Sequence, residues 1–300
     1  MNKYIVATSG GFISTKRWGV VKPGASFLKA LELTKKDRPK VCFIMTASGD
    51  DNSYIARSYE AMSNLSIDVT HLSLFPQPNA DAKDRVLKSD LIWVGGGSVA
   101  NLLAIWKLHN LDEYLKEAWH NATVLSGVSA GSICWFIGGT TDSFGPELKP
   151  VSNGLGLLPY ANGVHYDSEE QRRPLLQSLI QNGTFEIAYA TDDYTGIVFE
   201  NEEAIEVISD LSQNTDKKPA AYLLKKEKGI KFTAKQVALE RYKVVESFYK
   251  NIAEPELRKR GNLESFDMIE MTMSDFEHID EAIADSGSLV DSGSSDMSTS

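Results

Sequence analysis

Between residues 3 and 129 the chain alternates short, nearly unbroken apolar runs with longer segments of helical spacing, and few architectures accept that pattern. The runs are KYIVATSG (3–10), KVCFIMTAS (40–48), DVTHLSLF (68–75), DLIWVGGG (90–97) and TVLSGVS (123–129). They are apolar on both faces, as parallel strands covered on both sides must be. The intervening segments, GASFLKALELTKK (24–36), SYIARSYEAMSNL (53–65) and SVANLLAIWKLHNLDEYLKEAW (98–119), repeat apolar residues at i, i+3 and i+4 and read as helices. Parallel neighbours are joined only by crossovers, so the alternation predicts an α/β fold. We expect a doubly wound, mostly parallel sheet with helices on both faces. Further along, FEIAYATD (185–192) and TGIVFENEEAIEVI (195–208) read as antiparallel strands, and PAAYLLKKEKGIKFTA (219–234) as a hairpin turning near Gly229. The spacing of AKQVALERYKVVESFYKN (234–251) predicts a helix.

The chain has 300 residues, 42% of them apolar, enough for a sizeable core. Its net charge of −10 is unevenly placed: residues 261–300 hold ten Asp/Glu and no Lys/Arg, which leaves 31 acidic against 31 basic residues in 1–260. The division we expect is an α/β domain over 1–250 and an acidic extension over 251–300, largely disordered from about residue 286. A neutral body offers no cationic face for phosphates, so nucleic acid is not an expected partner. No window is long and apolar enough to span a membrane, and MNKYIVATSGG makes a poor signal peptide. Cys42 and Cys134 sit inside apolar segments as packed thiols. These features suit a cytoplasmic protein with no membrane contact, and they leave monomer or homodimer open.

One stretch carries chemistry. In TVLSGVSAGSICWF (123–136), Gly127-Val128-Ser129-Ala130-Gly131 fits G-x-S-x-G between a strand and an expected apolar helix. A serine held on so tight a turn exposes its hydroxyl, and flanking glycines leave it room. The N–H of Ala130, at the start of the helix, would face developing negative charge. The competing reading is an ordinary strand–helix turn. A second cluster, Gly95-Gly96-Gly97, ends the strand LIWV and frees backbone N–H groups, but it completes neither phosphate-binding glycine pattern.

A serine nucleophile needs a base, and a carboxylate to orient that base. Of the five histidines, His71 lies in a strand, His109 and His120 on helices and His278 in the acidic tail, which leaves His165 in the loop-like NGVHYDSEE. Two orders of acid compete. Ser–acid–His would use Asp142 or Glu147, but in folds of that order the histidine follows the last strand. Ser–His–acid would use Asp192 or Asp193 in ATDDYTGIVF. No cluster of Cys, His and carboxylates has metal-ligand spacing, so neither a metal nor a cofactor is expected.

In order and spacing, WVGGGSVANLL, GVSAGSICWF, VHYDSEEQRR and TDDYTGIVFENEEAIEVI resemble the peptidase E/cyanophycinase family of serine peptidases, over about residues 1–230. The resemblance implies a flavodoxin-like fold, similar to the class I glutamine amidotransferase domain, and hydrolysis of short peptides through an acyl-enzyme. It implies Ser129 as nucleophile, His165 as base and Asp193 as acid, with Asp192 the neighbouring candidate. It also implies an oxyanion hole from the N–H of Ala130 and one from Gly96 or Gly97. Peptidase E cleaves dipeptides with N-terminal aspartate and carries an arginine just before the triplet that here reads Glu170-Gln171-Arg172. Glu169 stands at that position and Ser98 where the family has asparagine, while the loop after His165 is shorter. Arg172 or Arg173 could replace the lost cation, the alternative being that both face solvent. Two further readings remain: a cyanophycinase-like β-aspartyl hydrolase, and a non-catalytic binding module on the same fold.

Overall fold

The computed structural model describes residues 2–210 and 219–226 and the backbone of 232–237. The chain divides into two units, Met1–Leu257 and Arg258–Ser300, and every described residue belongs to the first. The expected acidic extension and its disorder therefore lie outside the described residues.

In chain order the elements are β1 (Tyr4–Thr8), the short hairpin β2 (Phe12–Ser14) and β3 (Val21–Pro23), α1 (Ala25–Leu33), β4 (Lys40–Ile44), α2 (Asn52–Met62) and β5 (Asp68–Leu72). Then come α3 (Ala82–Leu87), β6 (Leu91–Val94), α4 (Val99–Leu108), α5 (Leu111–His120), β7 (Val124–Val128) and α6 (Ala130–Ile133). The remainder is β8 (Phe136–Thr141), β9 (Lys149–Val151), β10 (Leu158–Gly163), α7 (Arg172–Gln181), β11 (Ile187–Thr191), β12 (Thr195–Glu200), β13 (Glu203–Ser209), β14 (Ala221–Lys226) and β15 (Phe232–Val237). Seven strands form one sheet in the order β13-β12-β1-β7-β6-β4-β5. From β1 to β5 every pairing is parallel; β12 and β13 add an antiparallel edge beside β1.

Alternation along the parallel strands feeds two cores. Val41 and Phe43 of β4 face α1 and α2, while Cys42 and Ile44 face the side covered by α4 and α5. Leu91 and Trp93 divide from Ile92 and Val94 in the same way along β6. On the first side Phe27 and Trp93 have ring centroids 4.9 Å apart, and Phe12 meets the Trp93 edge at 5.6 Å, which fastens the β2–β3 hairpin to the core. Helices on both faces of a mostly parallel sheet are the α/β architecture expected. Cys42 and Cys134 are free and buried, and burial pushes the Cys42 thiol up to about 11. No helix among the described residues is long and apolar enough to cross a membrane.

Several elements depart from expectation. A second, six-stranded sheet, β15-β14-β11-β10-β8-β9, takes the strands after Ser129 other than β12 and β13, with β8, β10 and β11 parallel and α7 packed on it. Thus β11, read as antiparallel, is parallel to β10 and antiparallel to β14. The apolar helix expected after Ser129 is a single turn, because the chain re-enters a strand at Phe136, and Cys134, Trp135 and Phe136 are fully buried there. The long helix over 98–119 is two, broken where Asn110 turns left-handed at φ 57°. The hairpin over 219–234 forms as β14 and β15, but β15 claims Phe232–Val237, so a helix cannot begin at Ala234; the rest of 234–251 lies outside the described residues.

The left-handed residue between α4 and α5 yields a test. Asn110→Gly should leave stability unchanged or raise it, whereas Asn110→Ala should lower it by about 1 kcal/mol, as read from urea denaturation.

Candidate active site

Three neighbouring strands end at one place. β6 delivers Gly95-Gly96-Gly97, β7 delivers Ser129, and β1, between β7 and β12, ends in Thr8 and Ser9. This is the carboxyl edge of the parallel sheet, where doubly wound folds gather reactive groups.

Ser129 sits at φ 57° and ψ −115°, a conformation that costs a non-glycine residue about 1–3 kcal/mol and persists only when its surroundings enforce it. Here they do. Its N–H donates to the Thr8 carbonyl at 3.1 Å, and its own carbonyl accepts from Ser132 and Ile133 at 2.8 and 3.0 Å. The flanking glycines are required by close approach: a Cβ on Gly127 would lie 2.3 Å from the Gly131 oxygen, and one on Gly131 2.3 Å from the Val94 oxygen. No atom of the described residues hydrogen-bonds the Ser129 hydroxyl, which leaves it available.

His165 follows β10 at φ 52° and is half-buried. Its Nδ1 lies 2.5 Å from Asp193 Oδ1. An ionised carboxylate can only accept, so the imidazole donates from Nδ1, and in a neutral ring the lone pair then falls on Nε2. Burial pushes the Asp193 carboxyl up, but hydrogen bonds from His165 and Ser168 and the His165 charge outweigh it, and the net direction is below the ordinary carboxylate value. Asp192, the neighbouring candidate acid, is fully buried and faces elsewhere: its Oδ2 accepts from the Ala220 N–H at 3.0 Å and the Tyr222 hydroxyl at 3.3 Å. It fastens β14 to the end of β11. Asp142 lies beyond β8, facing Arg172 at 3.9 Å.

A cleft of about 350 Å³ opens beside the pair. Val128, the residue before Ser129, lines it with His165, Asp193 and Ser9, and Phe12 and Val21 of the hairpin form an apolar wall. Tyr54 and Arg57 of α2 also line it, and Arg57 is its one cation among the described residues. No hydrogen bond joins Ser129 to His165; in many enzymes that contact tightens only with substrate in place. Of the expected backbone donors, the N–H groups of Ala130 and Gly97 have no acceptor among the described residues, while the Gly96 N–H points at the Tyr54 hydroxyl at 3.5 Å. Gly96 abuts the serine, since a Cβ there would lie 3.3 Å from the Ser129 Cβ.

Neither arginine proposed for the substrate lines this cleft. Arg172, against the solvent-facing alternative, is 2% exposed and held by Glu169 Oε2 and the Thr140 carbonyl, both at 2.6 Å. Arg173 stacks over the rings of Tyr166 and Tyr222 at 4.5 and 5.1 Å. Sequence reasoning missed Ser9, Phe12, Tyr54 and Arg57. The signal for the first was present: Ser9-Gly10-Gly11 directly follows the first strand, at the edge where a site belongs.

The strained G-x-S-x-G serine and the histidine–carboxylate pair are both bonded to the end of β1, Ser129 through Thr8 and His165 through Ser9. Residues 7–207 match peptidase family S51. An uncharacterized peptidase of Bacillus subtilis (strain 168), YgaJ, is 41% identical over 212 residues, covering 70% of this chain and 89% of the relative. Peptidase E of Shewanella denitrificans is 28% identical over 145 residues, 47% of this chain and 59% of the relative. The solved structure of a peptidase from an acI-B1 Actinobacterium superposes with a TM-score of 0.58 at 15% identity, over 80% of this chain and 96% of that one, a likeness of fold. The chain belongs to peptidase family S51 and is a peptidase.

Two measurements probe the site's physics. Ser129→Gly should be more stable than Ser129→Ala by about 1 kcal/mol in chemical denaturation, because only glycine relaxes at φ 57° and ψ −115°. Because the folded-state value of Asp193 is depressed, its stabilisation is present above the unfolded carboxylate value and lost as pH falls through the folded one. The stability gap between wild type and Asp193→Asn should therefore hold from about pH 7 to 5 and narrow only below about pH 4.

Proposed function

We propose that this peptidase is a cytoplasmic, serine-type hydrolase of short peptides that works through an acyl-enzyme on Ser129. The observation that supports it best is the 2.5 Å contact of His165 Nδ1 with Asp193, at the sheet edge where Ser129 is held in a strained turn. With its proton fixed on Nδ1, the imidazole has one basic nitrogen left for a substrate-side proton. The Ser129 oxygen attacks the peptide carbonyl carbon as His165 Nε2 takes the hydroxyl proton. Asp193, ionised across the neutral range, stabilises the imidazolium that forms. The Ala130 N–H and the N–H of Gly97 or Gly96 receive the carbonyl oxygen as it becomes negative. Collapse breaks the C–N bond, His165 gives its proton to the leaving amine, and water repeats the cycle to free the acid.

The cleft supports a small substrate. Its volume is at the lower end for ligand pockets, and apolar side chains on one wall face a single cation on another. With Arg172 committed to Glu169 and the Thr140 carbonyl, Arg57 is the group suited to a substrate carboxylate.

A dipeptide library assayed with wild type and Ser129→Ala tests the reading: turnover should be confined to wild type, and peptidase activity surviving in Ser129→Ala would refute it. Asp193→Asn should remain folded but lose about 10³–10⁴ in kcat, because the imidazole tautomer is no longer fixed. Arg57→Gln should raise KM about three- to tenfold for dipeptides with a free carboxylate and leave that of their amides unchanged.

A further inference from the structure

We propose that Ser9 is a positioning residue that sets His165 for its exchange of protons with Ser129. The proposal rests on the serine-peptidase reading above.

Ser9 is 5% exposed, and its hydroxyl is fully employed. Its oxygen accepts the backbone N–H of His165 at 3.0 Å. Its proton has a partner in Thr191, whose Oγ1 lies at 2.6 Å and whose carbonyl lies at 3.1 Å. The same Thr191 carbonyl accepts the N–H of Tyr166 at 3.1 Å. The peptide units on both sides of the His165 α-carbon are therefore clamped, one by Ser9 and one by Thr191. His165 needs that clamp, since φ 52° is unfavourable for a residue with a Cβ and relaxes unless its surroundings over-determine it.

Ser9 is also one peptide unit from the nucleophile. The Thr8 carbonyl, which holds the Ser129 N–H, and the Ser9 hydroxyl, which holds the His165 N–H, belong to adjacent residues. The Ser9 backbone reaches the third member as well: its carbonyl accepts from the Tyr194 N–H at 3.2 Å and its N–H donates to Thr195 at 2.9 Å, both just after Asp193. Removing the hydroxyl leaves those backbone bonds and the Ser129 anchor intact, frees the His165 N–H and takes one partner from the Thr191 hydroxyl. The consequence is a loss of alignment between base and nucleophile, and misplacements of this size cost about 10- to 100-fold in rate.

The test compares the full-length wild type with Ser9→Ala and Thr191→Val, the second of which removes the Thr191 hydroxyl facing Ser9. For each, kcat and KM on a cleaved dipeptide are measured, with the rate at which a fluorophosphonate labels Ser129. Ser9→Ala should lower kcat and the labelling rate together by about 10- to 100-fold with KM within about twofold, and Thr191→Val should fall between it and wild type. Unchanged labelling in Ser9→Ala, or a rise in KM at constant kcat, overturns the proposal. Should Ser9→Ala fail to fold, Thr191→Val decides alone: wild-type labelling in it overturns the proposal. Failure of wild type to be labelled at all would instead reject the serine-peptidase reading.

Discussion

The end of β1 holds the candidate site together. Three reactive groups arrive there on segments far apart in sequence: Ser129 after β7, His165 after β10 and Asp193 between β11 and β12. Of the strands that carry them, β7 and β12 belong to the seven-stranded sheet and β10 and β11 to the second sheet. What registers them is the pair of residues at which β1 stops. Thr8 takes the serine's N–H, Ser9 takes the histidine's, and the Ser9 main chain pairs with Tyr194 and Thr195. Backbone bonds of this kind each contribute only about 1 kcal/mol net, yet leaving a buried partner unpaired costs more, so the arrangement is enforced by the penalty for breaking it.

Backbone strain is concentrated at the same place. Ser129, His165 and Tyr194 all have positive φ without being glycine. A fold tolerates such residues where packing and hydrogen bonds over-determine them, as the bonds from Thr8, Ser9 and Thr191 do here, while the aromatic cluster of Phe12, Phe27, Phe43 and Trp93 packs the β2–β3 hairpin whose Phe12 lines the cleft. Gly131, crowded against the Val94 oxygen, locks the turn to β6. The chain thus spends stability on aiming three side chains.

Much of this was legible in the sequence because the signals are local. Runs such as VCFI and LIWV are apolar on both faces, and both faces are covered. Ser129 stood out between glycines, and the glycines answer to close backbone approach. Signals that depend on a distant partner were not legible. Three strands of the second sheet read KPV, LPYANG and FIGGTT, short and interrupted by proline or glycine, so nothing in them alternates with a clear period. Arg172 reads as a surface residue, and its burial makes sense only once Glu169 and the Thr140 carbonyl are seen around it. The choice between Asp192 and Asp193 turns on which carboxylate points across the β11–β12 turn, a matter of one residue's pleat that spacing alone does not decide.

The account comes down to whether the His165 imidazole can reach the hydroxyl of Ser129, whose N–H the end of β1 holds. A crystal structure of the protein with a phosphonate bound covalently to Ser129 measures that directly. The account predicts His165 Nε2 within about 2.6–3.2 Å of the Ser129 oxygen, with Nδ1 still on Asp193. An imidazole that stays beyond contact with the modified serine, or abandons Asp193 to reach it, would contradict the account.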